Sequence, residues 1–189
     1  MAALPLYSIG HSNRELGAFI AALTDSNIEC LVDVRAFPRS RTNPQFNFDV
    51  LPDALARAGI GYLHLPGLAG RRPKSKTVDP AVNGYWKVAG FHNYADYALT
   101  EGFQAPFREL LRTSAERRAA MMCAEVLWWR CHRRIITDYA LAAGREVIHI
   151  FEAGHLEPAR LNEGARVDDD RTVTYPRDPD KAPQAQVGA

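Results

Sequence analysis

Five short apolar runs constrain this chain more than any other feature: LYSIG (6–10), CLVDV (30–34), YLHL (62–65), AAMMCA (119–124) and EVIHI (146–150). Each is apolar at consecutive positions and bounded by polar residues or Gly and Pro, the pattern of a strand buried on both faces. Between the first two, Leu16, Phe19, Ile20 and Leu23 recur at helical spacing, and Ser12 with Glu15 reads as the S-x-x-E capping box that starts a helix. A second helix is expected over about 50–58, stopped by Gly59, and a third from Cys131 to Ala143, stopped by Gly144. A long insertion between YLHL and AAMMCA holds a basic loop (67–80), an aromatic segment (85–97) and a helix near 103–113. Strands alternating with helices predict a three-layer α/β fold: a mostly parallel sheet of about five strands, helices on both faces and right-handed crossovers.

A chain of 189 residues is long enough for one well-buried core. One domain is expected over residues 1–165, followed by a polar segment, 166–189, whose last dozen or so residues are expected to be disordered. The net charge of +1 implies no global attraction to nucleic acid or to a membrane, so any such attraction has to be local. Neither a secretory signal nor a run of about 18 apolar residues is present, so no membrane association and a cytoplasmic location are expected. The three cysteines, Cys30, Cys123 and Cys131, are expected to be reduced thiols.

In an open parallel sheet, ligands bind beyond the carboxyl ends of the strands. Run one leads into His11 and Ser12, run two ends in Asp33 and Arg35, run three carries His64, run four leads to Glu125, and run five holds His149. One strand edge is thus polar. Each residue also has a plainer reading. Asp33 and Arg35, two apart on a strand, can simply pair with each other, and His64 and His149 can be satisfied core histidines. His11 follows a glycine in front of a helix whose first amides can hold an anion.

The stretch MMCAEVLWWRCHRRII (121–136) concentrates the rest. If a helix starts near Cys131, then Cys131 and His132 fall in its first turn, on the inward edge of a face running through Ile135, Ile136 and Tyr139. Arg134 and Asp138 would form an outward pair. A cysteine so placed, beside arginines, tends toward thiolate. Glu125 offers a general base, and Trp128 and Trp129 offer either a lid or a stacking platform. Spacing argues against three other readings. Zinc pairs are usually close in sequence, whereas Cys123 and Cys131 are eight apart; a cysteine phosphatase needs arginine six residues after its cysteine, where Trp129 and Thr137 stand; no rhodanese-like loop follows any cysteine.

Basic residues cluster locally: Arg35, Arg39 and Arg41, then Arg71, Arg72, Lys74 and Lys76, then Arg130, Arg133 and Arg134. They form either a solvated rim or a surface that captures phosphate, with Tyr85, Trp86, Phe91 and Tyr94 available for stacking on bases.

SIGHSNR (8–14), LVDVRAFPRS (31–40) with Phe46, YLHLPGLAGRR (62–72), CAE (123–125) with CHR (131–133), and VIHI (147–150) together resemble the family catalogued as domain of unknown function 488. Ala69 and the hydrophobic VLWW depart from its pattern. The resemblance implies a compact α/β domain with a shared polar site. It also implies that His11, Ser12, Asp33, Arg35, Pro38, Ser40, Glu125, Cys131, His132 and Arg133 belong to the family pattern.

The resulting expectation is an enzyme, a hydrolase or group transferase, acting on a phosphate-bearing planar substrate such as a nucleotide or a nucleic-acid end. Glu125, Cys131, His132 and His11 are the expected catalytic residues, and Ser12, Asp33, Arg35, Ser40, Arg41, Arg72 and Arg133 the expected substrate contacts. No cofactor is assigned. The alternatives are a non-catalytic module for single-stranded nucleic acid and a protein that holds a metal with Cys131, His132 and His11.

Overall fold

A computed structural model describes residues 4–177. All five apolar runs form strands: β1 (Leu6–Gly10), β2 (Cys30–Asp33), β3 (Gly61–His64), β4 (Ala119–Cys123) and β5 (Val147–Glu152). They lie in the order β3-β2-β4-β1-β5, all parallel, and a sixth strand, β6 (His155–Pro158), adds antiparallel to β5 at the edge. No apolar run marks β6, because all four of its residues are exposed.

The helices are α1 (Leu16–Asp25), α2 (Leu51–Arg57), α3 (Ala89–Ala98), α4 (Glu101–Glu116) and α5 (Arg133–Ala142), with short 3₁₀ turns at Pro44–Phe46, Pro66–Leu68 and Trp128–Arg130. Gly59 and Gly144, just beyond α2 and α5, have φ of 75° and 79°, the left-handed geometry that ends a helix. The strands' alternation sorts the core into two layers. Tyr7, Ile9, Leu31, Ala120 and Met122 face one side, packing with Phe19 and Leu23 of α1 and Leu51 and Leu55 of α2. Leu6, Val32, Ala119 and Met121 face the other, packing with Phe103 and Phe107 of α4, Tyr94 of α3 and Ile135, Ile136 and Tyr139 of α5.

Strand order places the site. From β1 the chain steps over β4 to β2 and on to β3, with α1 and α2 on one face; it then returns to β4 and crosses to β5 with α3, α4 and α5 on the other. Neighbours β1 and β4 therefore send their outgoing chains to opposite faces. A crevice opens between them, the switch point where α/β sheets bind ligands.

Three local expectations are corrected. The capping box does not form: α1 is capped by Glu15 with no side-chain bond, and Ser12, at φ 47°, turns back so that its hydroxyl donates to Asn13 Oδ1. Helix α5 begins at Arg133, leaving Cys131 in extended backbone before it. Asp138 is buried, accepting from the Asn162 amide and the Tyr175 hydroxyl, while Arg134 lies over the Trp86 ring. The polar segment after residue 165 contributes part of the core: β7 (Arg166–Val167) pairs with β8 (Val173–Thr174), and Val173 and Tyr175 are buried against α5. The expected disordered end lies outside the described residues.

Candidate functional site

A cavity of about 780 Å³ opens at the switch point, lined by residues from the ends of β1, β2 and β4, the Gly70–Arg71 loop and the start of α3. Six of the expected residues line it: His11, Ser12, Arg35, Glu125, Cys131 and His132. Asn13, Asn43, Arg71, Arg130 and Cys123 join them. Two glycines let the walls close. A Cβ on Gly10 would lie 2.0 Å from the Glu125 carbonyl oxygen, and one on Gly70 would lie 2.4 Å from His132 Nδ1.

One corner is built on Asp33, which has no exposed surface. Its carboxylate accepts from the Arg35 amide (3.0 Å), Arg35 Nε (2.9 Å), Arg35 Nη2 (2.6 Å) and the Tyr62 hydroxyl (2.7 Å). Arg35 Nη2 also donates to the Phe46 carbonyl at 2.8 Å, and Nη1 lies 3.1 Å from His11 Nε2. The other nitrogen of His11, Nδ1, is 2.8 Å from the Ser12 carbonyl, which can only accept. Nδ1 therefore carries the proton, and Nε2 offers its lone pair to Arg35. Burial, reinforced by the charge of Arg35, holds the His11 pKa down to about 4, against the pull of the Ser12 bond. Stacked on Phe46 at 4.2 Å, His11 is a fixed neutral acceptor rather than a base free to take a proton.

The other corner gathers thiols. Cys123 ends β4, and the chain returns through the Trp128–Arg130 turn to bring Cys131 and His132 beside it. One ligand atom from each lies within 4.8 Å of the others, with Cys131 Sγ 3.4 Å from His132 Nδ1. The neighbouring Cys123 thiol pulls the Cys131 pKa well below that of a normal thiol, against the effect of burial, and His132 and Arg133 assist. The same closeness to Cys131, with burial, raises Cys123. The imidazole of His132 is set by the Tyr94 ring, 5.2 Å away edge-on, and by the bare backbone of Gly70.

Arg133 lies beneath this corner, 1% exposed. It donates to Ser8 Oγ (2.9 Å) and to the carbonyls of Glu125 and Val126, pinning the loop that joins the cysteines. Among the described residues it has no carboxylate partner, and its Nε has no partner at all. Nearby His149 is stacked on Trp128 at 4.3 Å, and burial with the charge of Arg133 lowers its pKa to about 3.

The remaining expected residues lie elsewhere. Asp33 and Arg133 support the walls from behind. Ser40 accepts from the Thr42 and Asn43 amides within its own loop, and Arg41 is exposed outside the cavity lining. Arg72 packs over Tyr97 at 3.8 Å and donates to the Ala69 and Gly67 carbonyls. Of the aromatic segment, Trp86 and Tyr94 are core, and only Phe91 reaches the cavity, which Phe37 joins from the β2 loop. Neither Trp128 nor Trp129 lines it. Glu125 is exposed, its Oε1 accepting from the Leu127 amide at 3.0 Å.

Cys123 lines the cavity without having been expected there, and Arg71 and Arg130, read only as members of basic clusters, join it in place of Arg72 and Arg41. Cys123 was within reach: it shares strand parity with Met121, on the face that α5 covers. Nothing in the sequence distinguishes Arg71 from Arg72, which points the other way.

Residues 15–140 match the family described as domain of unknown function DUF488, and the chain belongs to that family. The matched span contains the thiol corner and the Asp33–Arg35 pair but not His11. No curated protein and no solved structure matches the chain significantly. Among the described residues, no helix is long and apolar enough to cross a membrane.

Proposed function

We propose that the protein is an enzyme, a hydrolase or group transferase, whose substrate is a planar phosphate-bearing molecule of the nucleotide class held in the switch-point cavity. The observation that carries this reading is the sharing of one cavity by two kinds of group. Arg71 and Arg130 are exposed at its wall with no hydrogen-bonded or ionic partner among the described residues, and the thiol corner lies at the same cavity. At about 780 Å³ the space suits a small ligand. Phe37, Val88 and Phe91 offer apolar surface to a ring, and the two free guanidiniums offer charge-assisted bonds to phosphate. Arg35 gives its donors to protein partners and Arg133 lies outside the cavity lining, so phosphate capture falls to Arg71 and Arg130. Proton transfer falls to Glu125, since His11 is committed to Arg35. An extended single-stranded nucleic acid is less well served, because Trp86 and Tyr94 are buried in the core.

Thermal unfolding tests the proposal, since a ligand that binds only the native state raises its stability. A nucleoside monophosphate or diphosphate should raise the melting temperature at fixed ionic strength, and the parent nucleoside should have little effect. The double variant Arg71→Ala/Arg130→Ala should weaken the response by at least about tenfold in ligand concentration, roughly 1.4 kcal/mol. Equal responses to nucleotide and nucleoside, or none to either, would reject the reading.

A further inference from the structure

We infer that Cys123, Cys131 and His132 form a binding site for a soft divalent transition-metal cation, zinc above all, with a fourth coordination position open to the cavity. The inference deepens the proposed function, on which it rests for the open position's substrate-facing role. It is carried by the donor set and by its placement.

Two sulfurs and one imidazole nitrogen are the donors that zinc prefers, and three protein ligands with one open position mark catalytic rather than structural zinc sites. In a tetrahedral site with Zn–S near 2.3 Å and Zn–N near 2.0–2.1 Å, neighbouring donor atoms lie roughly 3.4–3.8 Å apart. Cys131 Sγ and His132 Nδ1 are already at 3.4 Å, and the whole set falls within 4.8 Å. Small side-chain rotations close the remainder.

The surroundings hold the donors in place. Cys123 is anchored by the β4 ladder, and the Cys131 amide donates to the Trp128 carbonyl at 3.1 Å. The Gly70 backbone approaches so closely that any side chain there would displace the His132 ring. Beneath, the guanidinium of Arg133 is buried without a carboxylate, and its positive field favours the anionic sulfurs that a metal ligand must be. All three donors line the cavity, so the vacant position faces the space assigned to substrate. A cation there would polarise a bound water or a substrate oxygen beside Glu125.

The separation of eight residues between the cysteines, which argued against zinc in the sequence, is no obstacle in the fold. One donor ends a strand, the 3₁₀ turn reverses the chain, and the others precede the returning helix. His11 does not belong to the set, because its Nε2 is taken by Arg35.

The test uses reduced, untagged full-length protein, first stripped with chelator and then titrated with zinc or cobalt(II). One equivalent should bind, and cobalt should give a thiolate-to-metal charge-transfer band with the intense visible bands of a tetrahedral site. Zinc, but not magnesium, should protect Cys123 and Cys131 of the wild-type protein from alkylation, a measurement that needs no variant. Cys123→Ser, Cys131→Ser and His132→Asn should each weaken binding by more than about 100-fold, since loss of a supporting group alone costs 10–100-fold. Absence of the cobalt–thiolate band, or equal alkylation with and without zinc, would overturn the site. So would a reduced protein that takes up no metal and closes a Cys123–Cys131 disulfide on oxidation. Metal uptake without any nucleotide response would leave the site standing and remove the nucleotide reading; a nucleotide response in a protein that takes up no metal would do the reverse.

Discussion

The two corners of the cavity are built from similar residues and solve opposite problems. At the β2 corner, Arg35 meets a buried carboxylate, a carbonyl and a histidine lone pair, and Asp33 receives four donors in return. At the β4 corner, Arg133 is at least as deeply buried but meets only a hydroxyl and two carbonyls, and its charge helps hold the Cys131 thiol below the usual range. A saturated corner shapes the cavity, whereas an unsaturated one has valences left for a ligand. Buried charge is stable only when compensated, so of the two corners the β4 corner is the one whose polar groups are left incompletely matched.

The most severe way to break this comparison is Asp33→Ala. It leaves the Arg35 guanidinium buried without a carboxylate and should cost about 3–5 kcal/mol in urea unfolding. A loss below about 1 kcal/mol would mean that the corner is not saturated as described.

Acid acts on the same corner more gently. His11 has a folded pKa near 4 against an ordinary 6.5, so between these values the unfolded chain binds more protons than the native one. Its contribution is complete above pH 6.5 and is lost as the pH falls toward 4, to a total of about 3 kcal/mol. Asp138 works in the opposite sense: burial raises its pKa from 3.8 to about 6, so its contribution is greatest below 3.8 and is lost as the pH rises through 6. Unfolding free energies measured across pH 4–7 should therefore be steeper with pH in Asp138→Asn and flatter in His11→Gln than in the wild type. Three parallel curves would contradict the assignment.

Gly10→Ala tests how closely the two corners are joined, because the new Cβ would sit inside contact distance of the Glu125 carbonyl. The expected cost is about 1–3 kcal/mol, with the Cys123–Cys131 loop displaced. Increased amide exchange at residues 124–127 would report that displacement. The smallest effect should come from Arg71→Ala and Arg130→Ala. Neither side chain has a partner among the described residues, so each should change stability by less than about 0.5 kcal/mol while weakening the nucleotide response. A large stability loss would show that they are structural.

Burial and periodicity made the α/β class, the five parallel strands and the polar edge of the sheet legible, because a strand covered on both faces must be apolar throughout and its loop residues need not be. His11, Arg35 and Glu125, singled out by their positions at strand ends, line the cavity, as do Cys131 and His132, singled out as the first turn of a helix that in fact begins at Arg133. The same reasoning failed for the orientation of exposed side chains. Arg72 reads like Arg71 in the sequence, yet it lies over Tyr97, and Arg41 is exposed outside the cavity lining. It also failed for Val173 and Tyr175, two buried residues in an otherwise polar segment with no periodicity to reveal them.

The sequence by itself determined which residues could be inside and which strand ends carry polar side chains, since both follow from local pattern and the cost of burying polar groups. Only the tertiary structure decided that β1 and β4 are neighbours with outgoing chains on opposite faces. That arrangement opens the crevice, brings Cys123 to Cys131 across eight residues and separates a satisfied arginine from an unsatisfied one, because such pairings depend on strand order and crossover direction rather than on local pattern.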